Sequence, residues 1–371
     1  FNPSTTPFVT TWTVQQGDLD IEIFTINAYD YDFTVDWGDG QIDQNVNSDI
    51  THSYSSPGTY TVSITGVFPY FKTCEVVTGN PVFNCSNATK LNSVESWGNQ
   101  EWRFMVGSFN RAKNFSLNTT QAPDLSFVTS LKATFKDAEN FDEDISNWDF
   151  SNVTDMSSMF SGASSFNQPL NSWDVSNVTD MSSMFNGASS FNQPLNSWDV
   201  SNVNNMRFLF ANAESFNQAL SNWDVSNVND MQQMFFNAKN FNQPINDWNV
   251  SNVASMLALF GSFDFDMKFN QPLDDWNVSN VTSMGFMFLN NIDFNHSLDD
   301  WDVSNVIGMG SMFSGASSFN QPLNNWDVSN VTFMGRMFNN ATNFNQDISD
   351  WCVEQIPTEP DDFATDSALQ A

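Results

Sequence analysis

Nine tryptophans (Trp148, Trp173, Trp198, Trp223, Trp248, Trp276, Trp301, Trp326 and Trp351) stand 25 residues apart, except for one interval of 28. A fixed period of this length means stacked short units, none of which can bury its apolar face alone. The longer interval follows Phe260, where Gly261-Ser262-Phe263-Asp264-Phe265-Asp266 extends a turn. Two less regular units come first. Trp97 stands 12 residues before Phe109, as Trp148 does before Phe160, and Pro123 takes the Trp place 12 before Phe135.

Within one unit the apolar positions are Leu195, Trp198, Val200, Val203, Met206, Leu209, Phe210, Ala213 and Phe216. Leu195-x-x-Trp198-x-Val200 has the apolar spacing of a leucine-rich-repeat strand, and alternation puts Trp198 and Val200 on its inner face. The spacing then changes to three and four, which predicts a short helix or 3₁₀ turn with Val203, Met206, Phe210 and Ala213 on one stripe. Ser201-Asn202 offers helix-capping chemistry, and Gly187-Ala188 in the preceding unit offers a helix end.

Asparagine keeps the same period. One column follows the unit's Phe (Asn167, Asn192, Asn217); another includes Asn177 and Asn202. Side chains repeated at an internal corner must satisfy their hydrogen bonds there, which predicts a ladder together with the column of Trp148, Trp173, Trp198 and Trp223. The alternative reading is a ligand-binding row of amides.

Charge narrows the partners. The 371 residues carry 43 acids against 11 bases, a net charge of -32. That disfavours nucleic acid and anionic membranes, which need a basic surface. No apolar run approaches the roughly 20 residues that span a bilayer, so no transmembrane segment is expected. The opening Phe1-Asn2-Pro3-Ser4 reads as a processed form without its targeting segment. Cys74 and Cys85 flank a Gly-Asn-Pro turn and predict a disulfide in an oxidising compartment; two buried thiols are the alternative. Cys352 is left over.

Residues 8–70 follow another pattern. Ile21–Ile26, Phe33–Trp37 and Tyr60–Ile64 are alternating, β-branched runs separated by turn residues, which predicts a small antiparallel sandwich. Val35-Asp36-Trp37-Gly38-Asp39-Gly40, with Thr51-His52-Ser53-Tyr54 and Pro57-Gly58-Thr59-Tyr60-Thr61-Val62, resembles the PKD-type immunoglobulin-like domain, commonly a spacer or adhesion module. From residue 97 onward, Phe-Asn-Gln-Pro-Leu-Asn-x-Trp-Asp-Val-Ser-Asn-Val-Thr-x-Met-x-x-Met-Phe resembles the BspA-like leucine-rich-repeat surface proteins. That resemblance implies secretion, a cell-surface location, adhesion or assembly, and no catalytic residue.

The expected fold is therefore mixed: a PKD/immunoglobulin-like β-sandwich, then a leucine-rich-repeat-like solenoid with one short parallel strand and a short helix or 3₁₀ turn per turn. Its expected segments are an extension (1–7), the sandwich (8–70), linker and capping repeats (71–147), regular repeats (148–351) and a C-terminal cap and tail (352–371).

Motifs for chemistry are scarce. Two histidines, His52 and His296, read as structural and as a surface variant. No phosphate loop, metalloprotease helix or nucleophile–histidine pair occurs. Asp174, Asp199, Asp224, Asp302 and Asp327 follow the repeat's Trp and form an acidic row. Calcium is a candidate there and at Asp36, Asp39 and Asp43; a solvated acidic face is the alternative. Sequons such as Asn152 and Asn177 arise from the repeat, and a buried ladder Asn could carry no glycan.

Seven of the 11 bases fall between Lys72 and Lys136, among them Arg103 and Arg111 with Lys113, whereas Asp347 to Ala371 holds seven acids, including Asp361 and Asp362, and no base. Unlike ends favour head-to-tail contact, with Phe8–Val14 a strand that a neighbour could accept. The expected function is an extracellular structural surface protein and fibre subunit, self-associating or meeting surface or matrix proteins and glycans. The alternative is a monomeric adhesin, calcium-assisted, that binds a protein or glycan through the repeat face. An enzyme is not expected.

Overall fold

The computed structural model describes residues 3–76, 83–264 and 266–369. The Gly-Asn-Pro turn at 79–81 and Phe265 lie outside the described residues. The chain divides into two compact units, Phe1–Asn177 and Val178–Ala371.

The first unit is organised by β1 (Ser4–Val14), whose alternating apolar residues bury Phe8, Trp12 and Val14 on one face. It pairs antiparallel with β6 (Gly58–Val67), Trp12 opposite Tyr60, and with β9 (Leu91–Ser96) on its other side. β3 (Asp32–Asp36), β4 (Ile42–Val46) and the short β10 (Ser116–Leu117) complete a six-stranded sheet, ordered β10-β9-β1-β6-β3-β4. β2 (Asp20–Ile23) pairs with β5 (Ile50–Ser53), and β7 (Glu75–Val76) with β8 (Phe83–Asn84). Gly38, at φ +76°, turns where any Cβ would strike the Thr61 carbonyl, which explains the Gly of the Trp-Gly-Asp-Gly turn.

The separate β-sandwich expected over 8–70 is thus corrected: one sheet takes strands from both sides of residue 70. The reason lies in the edges of β1. Both carry unpaired backbone groups, and β9 satisfies those that β6 does not reach. The strand proposed for donation, Phe8–Val14, is itself taken up inside this sheet.

The repeats also depart from expectation. Among the described residues there is no helix, and the repeats contain no continuous strand. The leucine-rich-repeat-like solenoid with a strand and a helical turn per unit is therefore overturned; repeats are present, but they are built from turns. In the second unit, Asp180, Asn205, Asp230, Ser255, Ser283, Gly308 and Phe333 form a chain of isolated parallel bridges. Beyond each bridge, backbone N–H groups alternate in direction. Those of Met206, Phe208, Phe210 and Asn212 donate to Asp230, Gln232, Met234 and Phe236 of the next repeat, at 2.7–3.1 Å. Those of Leu209, Ala211 and Ala213 close turns onto Met206, Phe208 and Phe210.

Phe208 and Asn212 adopt left-handed φ of 58° and 56°, and the pattern recurs at Gln233 and Asn237. Left-handed residues break a helix, so the stripe Val203, Met206, Phe210 and Ala213 is buried as predicted but carried by overlapping turns. Gly187, expected as a helix end, is one of these left-handed positions at φ 75°. Ser201-Asn202 caps no helix; the Ser201 N–H donates to Asp199 Oδ1 at 3.1 Å.

Aromatic columns form the interior. Trp198, Trp223 and Trp248 stack nearly parallel at 6.5 and 6.4 Å, and Phe210, Phe235 and Phe260 at 5.7 and 5.8 Å. In the first unit, Trp148 meets Trp97 edge-on at 5.4 Å, and Phe150 packs on Trp173 at 4.1 Å. Phe8 lies 5.9 Å from Trp97, so the sheet core and the first repeat share one interior. No helix among the described residues is long and apolar enough to cross a membrane.

Candidate functional site

Each repeat carries an indole, a carboxylate or amide after it, and two asparagines, and turn geometry sets what each can bond. The Trp223 indole N–H donates to Leu195 O at 2.9 Å, and Trp248 does the same to Leu220 O at 3.1 Å. The first Asn column, half-buried, links repeats through its side-chain carbonyl. Asn192 Oδ1 accepts the Asn217 N–H and the Gln218 amide, both at 3.0 Å, and Asn217 Oδ1 accepts Asn242 N–H and Gln243 in turn. At the start of the column, the Asn167 N–H donates to Asp142 Oδ1 at 2.8 Å. The glutamines are partners that sequence reasoning missed, although Gln follows that Asn in most repeats. His296 stands in the Gln place, its Nε2 3.2 Å from Asn270 O.

The second column is arranged differently. Asn177 Nδ2 donates to Ser151 O at 2.7 Å and Asn227 to Ser201 O at 2.7 Å, and the side chains of this column, Asn202 included, are exposed. The expectation that burial shields these sequons is therefore corrected: the amide bonds a carbonyl at the surface.

The acidic row closes turns. Asp174 Oδ1 accepts the Ser176 hydroxyl at 2.6 Å and its N–H at 3.1 Å. The Ser176 hydroxyl, then its N–H, hold the Asp174 carboxyl below its ordinary value; Ser226 acts likewise on Asp224. Asn249 and Asn277 make the same turn with Ser251 and Ser279 at 3.2 and 3.1 Å.

Asp36, Asp39 and Asp43, expected as a cation cluster, take three separate tasks. Asp36 accepts the Gly38 N–H at 2.9 Å and Asp43 the Trp37 indole at 2.9 Å. Asp39 bonds the Gln41 N–H and His52 Nε2, both at 3.0 Å, while His52 stacks on Trp37 at 4.7 Å. Burial pushes the Asp39 carboxyl up, but those two partners outweigh it and hold it low. No group of three metal-ligating side chains occurs among the described residues. The three carboxylates do not converge, because each is held by a different partner: the Gly38 N–H, the Gln41 N–H with His52, and the Trp37 indole.

Cys74 and Cys85 are joined in a disulfide, and Cys352 is exposed and free. Charges assigned to assembly are paired within their own units. Arg103 meets Glu101 and lies 3.7 Å over the Phe127 ring, Arg111 is 3.6 Å from Asp137, and Lys113 is 2.6 Å from Glu139. Asp362 lies 3.3 Å from Arg336, and Asp361 O accepts the Arg336 N–H at 2.9 Å. With Phe338 N–H to Phe363 O and Asn340 N–H to Thr365 O, both 2.8 Å, the C-terminal stretch supplies the bonds that a following repeat would.

Two further surface features emerge from the fold. Lys72, Arg111, Lys132 and Lys136 line a cavity of about 530 Å³ in the first unit. In the second, Phe286, Ile307 and Phe333 are 40, 53 and 60% exposed, and the Phe333 ring covers Gly310 and Gly335.

The family model described as Mycoplasma protein of unknown function, DUF285, matches three times, over residues 77–195, 168–266 and 259–371. No curated protein and no solved structure matches the chain. The three matches span the Trp- and Phe-marked units and most of the chain, so this is a repeat protein and a member of the DUF285 family.

Proposed function

We propose that the chain is an extracellular structural surface protein, of the BspA-like kind, that self-associates. The observation that carries this reading is the direction of its polar chemistry: Asn192 and Asn217, like the indoles of Trp223 and Trp248, bond the neighbouring repeat. Side chains used in this way build a scaffold, and the Cys74–Cys85 disulfide suits an oxidising compartment. Sedimentation velocity and negative-stain microscopy over a rising concentration series test the assembly. Species larger than the monomer are expected, and a monomer persisting at the highest concentration sinks self-association.

A second reading, a monomeric adhesin, draws on the exposed Phe286, Ile307 and Phe333, the last lying over Gly310 and Gly335, which suit contact with a protein or glycan. Retention of the monomer on extracellular-matrix or glycan arrays, lost in a Phe286→Ser/Phe333→Ser variant, would favour it.

A further inference from the structure

We infer that the basic cavity of the first unit binds a small organic acid of monosaccharide size. This holds whether or not the chain assembles. The chain carries a net charge of -32, yet four of its 11 basic residues line this one cavity. Stacking of three segments brings them together. Thr73 N–H donates to Ser108 O at 3.1 Å, and the N–H groups of Gly107 and Arg111 donate to Lys132 O and Lys136 O at 2.9 and 2.7 Å. Successive repeats thus place Arg111, Lys132 and Lys136 side by side, with Lys72 on the segment before them.

Two of these charges, Lys132 and Lys136, are not cancelled in place. Asp137 is the one acid among the lining residues and it lies 3.6 Å from Arg111. Lys132 and Lys136 have no carboxylate at ion-pair distance among the described residues. Two uncompensated ammonium groups at the wall of a concave site focus a local positive potential that opposes the field of the whole chain.

The rest of the lining selects among anions. Tyr70, Phe104 and Val106 give an apolar wall, with the Tyr70 hydroxyl already donated to Val106 O at 2.6 Å. An apolar wall beside ammonium groups favours an anion with an organic body over a bare inorganic one. A cavity of about 530 Å³ admits a monosaccharide-sized body. A long polyanion would also have to cross the acidic remainder of the surface, so a single acidic ring fits better.

Isothermal titration calorimetry on the full chain tests this with glucuronate, glucose and inorganic sulfate as probes. Saturable one-to-one binding of glucuronate is expected, with no response to glucose and a weaker one to sulfate. Lys132→Gln/Lys136→Gln should weaken glucuronate at least tenfold with an unchanged melting temperature. No heat from glucuronate, equal binding of glucose, or indifference to the double lysine variant each overturns the inference. Sulfate binding tighter than glucuronate also overturns it and marks a site for simple anions. A response confined to a peptide of residues 357–369 overturns it in favour of a second copy of the chain.

Discussion

The N-terminal sheet and the repeats solve one problem in opposite ways. In the sheet, β1 pairs residue after residue with β6, from Phe8↔Ile64 to Val14↔Gly58, and its side chains alternate in and out. In the repeats, backbone pairing between neighbours is reduced to single bridges and alternate N–H groups, while intervening groups close turns. Both satisfy the backbone, but turns release side chains to do more of the linking. A strand can be held by backbone bonds alone, whereas a turn-built repeat depends on its indoles and amides. The repeats should therefore be more sensitive to polar side-chain loss than the sheet.

The largest test of that difference is Trp223→Ala. It removes a buried indole stacked between Trp198 and Trp248 and leaves Leu195 O without its donor. A loss of about 3–5 kcal/mol is expected in urea unfolding. Trp12→Ala in the sheet should stay at the lower end of that range, since the Trp12 indole bonds only the nearby Thr10 hydroxyl. A larger loss at Trp12 would break the comparison.

Reduction of Cys74–Cys85 comes next. The bond closes a short stretch, 11 residues in separation, in the first unit, and its loss should cost about 2–3 kcal/mol. The urea midpoint with and without reductant reads this, and a Cys74→Ser/Cys85→Ser variant should show no reductant effect.

The two Asn columns set up an internal comparison. Asn217→Ala strands two donors, the Asn242 N–H and the Gln243 amide, at a half-buried corner, for about 1–3 kcal/mol. Asn227→Ala frees only Ser201 O at the surface, where water can replace the amide, for about 0.5–1 kcal/mol. Equal losses would show that the ladder is no more than surface dressing.

The smallest effect is on acid stability. Asp174, Asp224 and Asp327 titrate below the ordinary 3.8 in the folded chain. A depressed carboxyl contributes stability above its unfolded value and loses it as pH falls through the folded one. Melting temperature should therefore drop as pH falls below about 4, and less steeply with all three changed to Asn. Asn249 and Asn277 already hold that turn without a charge.

Much of this was legible in the residues. Trp, Phe, Met and Val at a 25-residue period named the buried columns, because burial depends on pattern whichever backbone carries it. The Asn192 and Asn217 column was legible for the same reason, since a polar side chain repeated at a corner needs a partner. Helix and turn were not distinguishable that way: positions 203, 206, 210 and 213 face inward from either. The Gly or Asn at 187, 212, 237 and 315 was the available signal, since these residues tolerate left-handed φ. Phe208 and Gln233 carry no such mark and are held there by the next repeat.

By itself the sequence determined the repeat, its period, its buried columns and the acidity of its surface, since these follow from residue chemistry at fixed spacing. Tertiary structure alone decided that the units are turns, that β9 joins β1, that Asp174 and Asp199 close turns onto the serines two residues on, and that Lys72, Arg111, Lys132 and Lys136 share one cavity. Each depends on which distant backbone group lies within hydrogen-bond reach, and spacing along the chain does not encode that.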